Sequence, residues 1–418
     1  MKKLLSILLV AVLIITAMPL GAFEFKASAE TSGTTGECTW SLDGTVLTIS
    51  GNGVMRDYTD SNKAPWGINI TEVVIENGVT RIGNYAFYRC TSLESVSLGD
   101  SVKIIGNYAF YRCTSLESVS LSDSVKIIGW YAFMYCTSLE NVSLGNSVTI
   151  IGDYAFEYCT SLKNIIIPSS VTSIGGGVFS SCDNLENVII PDGITSMGEG
   201  MFSSCKSLKN VKLPNTLTSI SGNMFFNCKS LENVNIPDGI TSIGPSAFNN
   251  CVSLNNITIP SSVTSIGIRA FVDCHKFTNI TIPNGVTSID FAVFAYCEGL
   301  ESVTIPSSVT SIGDYAFEEC PKLTSVYYLG SKEAKAKISV GSNNSALDSA
   351  KWYYILGDVD GVEGVTDADA EYLLMHTFFP EDYPVEQTCD FNGDGNVNDA
   401  DAEHLLMFTF FPEDYPLH

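Results

Sequence analysis

The feature that most constrains this sequence is a repeat of 23 residues that runs through its middle. A phenylalanine lies three positions before the repeated cysteine, and a leucine lies three positions after it, except where Phe277 replaces the leucine. Such a period indicates a solenoid, because no single repeat can bury its apolar face and each coil must stack on the next. Eleven of the thirteen cysteines share this spacing: Cys90, Cys113, Cys136, Cys159, Cys182, Cys205, Cys228, Cys251, Cys274, Cys297 and Cys320.

Each repeat also contains a short segment typical of a β-strand. Apolar and polar residues alternate near the end of residues 93–98, which indicates one strand per coil. Stacking would give a parallel sheet of twelve strands between residues 73–75 and 326–328, about 50 to 55 Å long at about 4.8 Å per strand. In residues 83–90, a Gly that permits a bend and a Phe that fills the core predict a tight turn followed by a short helical turn.

The repeat unit resembles a known class of bacterial leucine-rich repeats. Its consensus, V-T-S-I-G-x-x-A-F-x-x-C-x-S-L-x-N-V-x-I-P, is similar to the BspA-like class over about residues 70–330. The resemblance implies a leucine-rich-repeat solenoid of about 11 to 12 coils, which we assign to residues 70–328. Since an open end would expose core and strand edge, we expect an N-terminal cap at residues 30–69 and a C-terminal cap and linker at residues 329–355.

The cysteine column allows three chemical interpretations: a metal site, a series of disulfides, or reactive thiols. Each cysteine keeps one offset from a phenylalanine, so we expect it to point inward, where a thiol behaves as a small apolar side chain. Eleven is an odd number, so complete pairing is impossible, and we predict reduced thiols with bridges between adjacent coils as the alternative. Cys274 and His275 resemble a nucleophile and its base, but no third orienting group is evident and we expect no catalysis there.

Two outward surfaces are candidates for ligand binding. The strand segments present a column of Ser and Asn from Ser95 to Ser325, which is nearly uncharged and lacks aromatic groups. The turn segments of the first four repeats carry a cluster of tyrosines and one tryptophan. Aromatic residues of this kind are enriched at interfaces, although packing between coils explains many of them equally well. We select Tyr88, Tyr111 and Tyr135 as candidate ligand-binding residues for a protein or cell-wall ligand of unknown identity.

The N-terminus and the charge limit where the protein acts. Two lysines precede an apolar run from Leu4 to Leu20 and an Ala-Ser-Ala site, which predicts a secretory signal peptide at residues 1–29. A membrane anchor is the alternative, but the run is short for a span and we expect no membrane insertion. The net charge of −24 opposes binding to nucleic acid or anionic lipid. We therefore expect a secreted, extracellular protein.

Residues 356–418 form a separate, acidic domain by composition. They contain sixteen Asp and Glu residues and no Lys or Arg, arranged as two copies of a 32-residue repeat. In the second copy, residues 390–401 match an EF-hand-like loop, in which oxygen ligands for Ca²⁺ alternate along the chain and a Gly makes the turn at position six. The expected Ca²⁺ ligands of this loop are Asp390, Asn392, Asp394, Asn396, Asn398 and Asp401.

The two copies, each a loop followed by one helix, resemble a type I dockerin over about 60 residues. The resemblance implies a small α domain of two EF-hand-like loop-helix units that binds a cohesin module of a scaffoldin. In the first loop it implies Ca²⁺ ligands at Asp358, Asp360, Thr366 and Asp369, but Val362 replaces the oxygen of position five and leaves that site in doubt. The residues that would contact cohesin are Asp399, Ala400, Met407 and Phe408 in the second copy, and Asp367, Ala368, Met375 and His376 in the first.

These features together predict a secreted, non-enzymatic binding protein. Its repeat domain would recognise a ligand, and its dockerin would attach it to a scaffoldin of a cellulosome-type, polysaccharide-degrading complex. The alternatives are a surface adhesin, and an enzyme or enzyme inhibitor delivered by the dockerin. Outside the calcium loops, the sequence offers no paired carboxylates, catalytic triad or metal-ligand spacing in favour of an enzyme.

Overall fold

Successive 23-residue coils stack so that equivalent residues lie beside each other. The computed structural model describes residues 31–354 except Asn256, together with Ala402 and Glu403. The predicted parallel stacking is confirmed, and strands occupy eleven of the twelve expected positions; the remaining position contains Asn256. The strands form several short parallel sheets and not the single continuous sheet that the sequence predicted. These eleven strands are Glu72–Ile75, Ser95–Leu98, Ser118–Ser120, Asn141–Ser143, Asn164–Ile166, Asn187–Ile189, Asn210–Lys212, Asn233–Asn235, Asn279–Thr281, Ser302–Pro306 and Ser325–Leu329.

A second set of parallel strands follows the first in most coils, although residues 196–197 form no strand, and the sequence analysis missed this set. These strands are mostly two residues long, and each pairs with its equivalent in a neighbouring coil, as Ile104 and Ile105 do with Ile127 and Ile128. A typical coil therefore has two β-segments and a turn segment. The second set comprises Gly53–Val54, Val79–Ile82, Ile104–Ile105, Ile127–Ile128, Ile150–Ile151, Ser173–Ile174, Ser219–Ile220, Ser242–Ile243, Ser265–Ile266, Ser288–Ile289, Ser311–Ile312 and Ser339–Val340.

Strands from outside the repeats extend the first set at both ends. Before them, Ser32–Thr35, Cys38–Asp43 and Val46–Gly51 form an antiparallel meander, and Val46–Gly51 then pairs in parallel with Glu72–Ile75. After them, Lys351–Tyr354 pairs in parallel with Ser325–Leu329. Two short helices, Lys332–Lys335 and Ser345–Ser349, lie between these last two strands. In residues 31–354 and 402–403, no helix is long and apolar enough to cross a membrane.

The segment from Gly83 to Cys90 is a series of turns, so the prediction of a short helical turn there was wrong. Tyr85 and Arg89 adopt left-handed backbone conformations, with φ of 57° and 60°, and the equivalent residues of every later coil do the same. Non-glycine residues reach this region at a cost of about 1 kcal/mol or more, and it interrupts a right-handed helix. The helix is replaced by a pattern of hydrogen bonds that alternates along the chain.

In this pattern, every second backbone N–H of the turn donates to the next coil. The N–H of Phe87 donates to the carbonyl of Ala109 at 2.8 Å, whereas the N–H of Cys90 donates within its own coil to the carbonyl of Phe87 at 3.1 Å. Tyr85 and Arg89, the left-handed residues, also donate to the next coil. The left-handed conformations thus aim alternate N–H groups along the stack, which satisfies the backbone without a helix.

The core of the stack consists of columns of identical side chains. The eleven phenylalanines from Phe87 to Phe317 are buried, and their rings stack from coil to coil with centroids 5.0 Å apart at Phe87 and Phe110 and 6.1 Å apart at Phe179 and Phe202. The cysteine and leucine columns are buried beside them. The periodic columns identified in the sequence are therefore core columns, and replacing one such Phe by Ala is expected to cost about 3 to 5 kcal/mol.

In each coil except the last, the Phe N–H of the core column donates to the carbonyl of the residue that precedes the Phe of the next coil. Side chains from outside the repeats complete this hydrogen-bond series at its two ends. At the first coil, the Trp66 indole Nε1 donates to the carbonyl of Ala86 at 3.1 Å, the atom that a preceding Phe would otherwise contact. At the last coil, the N–H of Phe317 donates to Asn344 Oδ1 at 2.9 Å. Asn344 is buried, and its Nδ2 also donates to the carbonyls of Gly313 and Gly341. Both ends of the series are thus satisfied by buried polar side chains.

Candidate functional site on the turn face

The turn segments of the first four coils form an aromatic surface, here called the turn face. Three positions of each turn point outward, and the 23-residue stacking turns them into three columns. The first column contains Tyr85, Tyr108, Tyr131 and Tyr154. The second contains Tyr88, Tyr111, Met134 and Glu157. The third contains Arg89, Arg112, Tyr135 and Tyr158. The residues of the first and third columns are the left-handed residues of their turns.

The first column is a continuous stack of tyrosine rings. The centroids are 4.6 Å apart between Tyr85 and Tyr108, 4.7 Å between Tyr108 and Tyr131, and 5.1 Å between Tyr131 and Tyr154. The stack ends at Gly177, where a Cβ atom would lie 2.4 Å from the Tyr154 ring. Desolvation raises the pKa of Tyr85, Tyr108 and Tyr131 further above neutral pH, and their protonated hydroxyls can donate hydrogen bonds.

The three candidate residues Tyr88, Tyr111 and Tyr135 lie together, but they do not form one column. Tyr88 and Tyr111 stack with centroids 5.0 Å apart, whereas Tyr135 belongs to the third column and meets Tyr111 edge to face at 5.8 Å. The guanidinium of Arg112 lies close to both kinds of ring, 5.5 Å from the centroid of Tyr111 in the second column and 4.8 Å from that of Tyr135 in the third. All three tyrosines are half-buried, so part of each ring packs against neighbouring coils and part is accessible to a ligand.

Glu157 occupies the second column, where earlier coils carry Tyr88, Tyr111 and Met134, and sequence analysis did not select it. It is half-buried and interacts electrostatically with Tyr131 and Tyr135 of the preceding coil. Burial raises the pKa of Glu157 to about 7, although a hydrogen bond with Ser180 opposes the shift. The 23-residue spacing from Met134 places Glu157 in this column, so the sequence alone could have assigned it to the turn face.

The strand face differs from the turn face in its chemistry. Part of its Ser/Asn column forms hydrogen bonds between coils: Asn187 Nδ2 donates to Asn164 Oδ1 at 2.8 Å, and Asn233 Nδ2 donates to Asn210 Oδ1 at 3.2 Å. Next to this column, Ile166 and Ile189 are 63% and 59% exposed. A groove of about 460 Å³ lies beside Ile166 and Asn164.

The cysteine column lies inside the solenoid, as predicted. Each cysteine from Cys113 to Cys320 donates its Sγ–H to the carbonyl of the phenylalanine 26 residues earlier, as Cys113 does to Phe87 at 3.2 Å. Burial raises the pKa of Cys90 and Cys228 to about 12, which keeps these thiols protonated and unreactive. The reduced state itself stays a prediction.

Cys274 and His275 point to different environments. Cys274 Sγ donates to the carbonyl of Phe248 inside the core, and burial raises its pKa well above the usual value. His275 Nε2 lies 3.5 Å from the carboxylate of Asp273 on the partly exposed side. The two side chains therefore do not form a nucleophile and base pair.

The calcium and cohesin residues predicted in the acidic domain lie outside the described residues. The same applies to the signal peptide at residues 1–29. Those assignments remain predictions from the sequence.

Comparison with known proteins identifies the repeats. A family model for the BspA type leucine-rich repeat region, six copies long, matches residues 61–149, 126–252 and 223–338. No curated protein matches the chain.

Several solved structures are similar. A leucine-rich cell surface protein of Faecalibacterium prausnitzii is 29% identical, with 75% of this chain and 98% of that chain covered and a TM-score of 0.45. The pneumococcal vaccine antigen PcpA is 17% identical, with coverages of 77% and 93% and a TM-score of 0.50, a likeness of fold alone. Because the family matches span more than half of its 418 residues, the chain belongs to the BspA-type leucine-rich repeat family.

Proposed function

We propose that the protein is a secreted, non-catalytic binding protein. The turn face of its first repeats recognises a protein or cell-wall ligand. Its acidic C-terminal region attaches it, in a calcium-dependent way, to a cohesin of a scaffoldin in a cellulosome-type complex. The observation that carries the recognition role is the turn face itself, on which eight tyrosines and two arginines lie in adjacent columns.

The chemistry of the turn face suits recognition better than that of the strand face. Its tyrosines are largely half-buried and held by stacking, so little side-chain freedom would be lost when a ligand binds. Arg89 and Arg112 lie over tyrosine rings, and within residues 31–354 neither belongs to an ion pair. Tyrosine and arginine arranged in this way are typical of binding hot spots.

Attachment through calcium rests on the sequence of the C-terminal region. Residues 390–401 supply oxygen donors at the positions where an EF-hand-like loop needs them, with Gly395 at the turn. Oxygen donors of this kind fit Ca²⁺, which when bound would hold the loop in one conformation and offset repulsion among its carboxylates. Asp390 and Asp394 would supply charged ligands to it.

The recognition role is tested by binding of the full chain to cell-wall preparations and to extracellular proteins. A triple variant, Tyr88→Ser, Tyr111→Ser and Tyr135→Ser, should lose binding. The matched control replaces Ser95, Ser118 and Asn141 on the strand face by Ala and should bind normally. Loss of binding in the control, or binding that survives the tyrosine changes in a folded variant, would contradict the assignment to the turn face.

Two further measurements test the remaining parts of the proposal. Calorimetry of the full chain with a type I cohesin should show binding with calcium and none after EDTA treatment. Equal affinity after complete calcium removal would reject calcium dependence. Assays on plant-fibre polysaccharides and on peptides should show no turnover, and reproducible turnover would make the protein an enzyme.

A further inference from the structure

The aromatic surface of the turn face stops abruptly after the fourth coil. In the fifth coil, the three column positions are Gly177, Ser180 and Ser181, none of which is aromatic. Tyr154 ends the first column by packing against Gly177. Tyr158 ends the third column: one of its ring faces stacks on Tyr135 at 4.5 Å, and the other faces the coil that carries Ser181. No other described aromatic ring stacks on Tyr158. Between the fourth and fifth coils, the surface therefore changes from the large Tyr158 to the small Ser180 and Ser181, and we call this change the step. One ring face of Tyr158 borders it.

Glu157 lies at the same step. Its carboxyl group interacts electrostatically with Tyr131 and Tyr135 of the preceding coil and with Cys182 of the following coil, and it forms a hydrogen bond with Ser180. None of these groups carries a positive charge. Among the described residues, Glu157 belongs to no ion pair, so its charge is partly desolvated without a cationic partner. A half-buried carboxylate in this state gains from a cation supplied by a ligand.

Two coils before Tyr158, the turn face already holds a cation, the guanidinium of Arg112, against a tyrosine ring. Arg112 places its guanidinium 4.8 Å from the centroid of Tyr135, the ring on which Tyr158 stacks. The order along the third column is therefore Arg112, Tyr135, Tyr158 and then the small Ser181. One end of this tyrosine pair already carries an internal cation. The other end presents a ring face toward the fifth coil, and Ser180 of that coil forms a hydrogen bond with Glu157. A ring face and a carboxylate directed toward the same coil are the combination that attracts an ammonium or guanidinium group.

We propose that the step formed by Tyr158, Glu157 and Ser180 binds the protonated lysine or arginine side chain of a partner protein. This inference rests on the proposed binding role of the turn face and specifies the chemistry of its ligand. The cation lies against the ring of Tyr158, donates to the Glu157 carboxylate, and occupies the space that the small side chain of Ser181 leaves beside the ring. A hard metal ion fits poorly there, since it needs about six or more oxygen ligands and the step has one carboxylate.

Net charge also favours such a partner. The chain carries a net charge of −24, which attracts basic proteins over long distances. Because acidic groups elsewhere would bind a polycation without selectivity, the test needs a probe with a single charge and a signal that comes from the site.

The experiment uses the full chain with ¹³C-labelled tyrosine rings and a short glycine peptide that has blocked termini and contains one lysine. The peptide should produce a saturable shift of the Tyr158 ring signal, which is assigned from a Tyr158→Phe variant. A matched peptide with an acetylated lysine should produce none. Glu157→Gln should weaken binding about fivefold or more at about pH 8, and should matter much less at about pH 5, where the native carboxyl is protonated.

A second variant tests the ring face without changing any charge. Ser181→Tyr would extend the third column by one ring, and Tyr135 and Tyr158 show that tyrosine adopts the left-handed backbone of this position. It should abolish the lysine-dependent shift while Glu157 remains. Glu140→Gln is the control for bulk charge, because Glu140 is exposed and pairs with Lys163 at 3.6 Å.

The outcomes separate this inference from the proposed function. Equal shifts with the neutral peptide, or equal affinity in the native protein and in Glu157→Gln, would reject the cation site. So would equal weakening by Glu140→Gln and Glu157→Gln. If the tyrosine triple variant lost binding to the natural ligand while Glu157→Gln kept it, the turn face would stay the recognition surface and the cation site alone would fail.

Discussion

Asn344 Oδ1 accepts the backbone N–H of Phe317 at 2.9 Å, in the place of the carbonyl that the next coil supplies to every earlier phenylalanine of the column. A side chain from the region after the repeats thus acts as the last carbonyl of the series. Asn344→Ala should leave the buried Phe317 N–H without a partner, remove the Asn344 hydrogen bonds to the carbonyls of Gly313 and Gly341, and destabilise the protein by about 2 to 4 kcal/mol. Chemical denaturation should show this loss, whereas the exposed Asn184→Ala should change stability little.

The left-handed residues of the turns predict that glycine is favourable at one position and unfavourable at a nearby one. Glu319 has φ of 50° and is exposed, so Glu319→Gly should relieve backbone strain and leave stability unchanged or higher by about 0.5 kcal/mol. Glu298→Gly removes the same charge at an exposed residue without positive φ and should cost about 0.5 to 1 kcal/mol. Equal effects of the two variants on the melting temperature would contradict this account of the turns.

Glu157 should make the protein less stable as pH rises. Its pKa in the folded protein is about 7, above the ordinary value of 4.5, so the folded state holds the proton more tightly than the unfolded state. The stabilisation is complete below about pH 4.5 and is lost progressively up to about pH 7. Because the group is half-buried, the loss should be only about 1 kcal/mol. Glu157→Gln should lack this component in denaturation curves across that range, and Glu140→Gln should retain it.

The cysteine column should contain mostly free thiols. Eleven buried cysteines in one register pack beside the phenylalanines, and those from Cys113 onward donate to backbone carbonyls. Thiol titration of the denatured protein without reductant should therefore detect most of them, while the native protein should react slowly because burial holds the thiol pKa high. Finding most of the cysteines in bridges between adjacent coils would support the alternative.

The two loops predicted to bind calcium should differ in importance. Asp390→Ala removes a predicted charged ligand from the loop whose sequence has an oxygen donor at every expected position, so it should weaken cohesin binding by about tenfold or more. Asp358→Ala acts on the loop in which Val362 already replaces an oxygen donor, so it should matter less, by about threefold or under. Calorimetry at fixed calcium concentration compares them, and a larger loss from Asp358→Ala would reverse this ranking.

The repeat columns could be predicted from the sequence because burial fixes the same residue type at the same position of each coil. Phe87, Cys90 and Leu93 are buried, as their spacing predicted. The second set of strands could not be recognised in the same way, since pairs such as Ile104 and Ile105 are too short to show alternation. The left-handed turns were missed because Tyr85 and Arg89 are not residues that sequence rules associate with positive φ.

The candidate site was predicted in part. Tyr88, Tyr111 and Tyr135 were expected to lie together, and they do, but the division into columns depends on a one-residue difference in register. The repeat spacing places Glu157 in the second column, but its burial and raised pKa depend on side chains of the preceding and following coils. Sequence patterns within one coil carry no information about such neighbours.

Trp66 and Asn344 close the hydrogen-bond series from outside the repeats, so neither end depends on how many coils lie between them. An added coil would meet the same interface on both sides, as the nearly identical residues 83–105 and 106–128 already do. Each addition would move the tyrosine columns about 4.8 Å farther from the C-terminal strand Lys351–Tyr354. The number of repeats therefore sets, in discrete steps of one coil, the distance between the turn face and the C-terminal end of the solenoid.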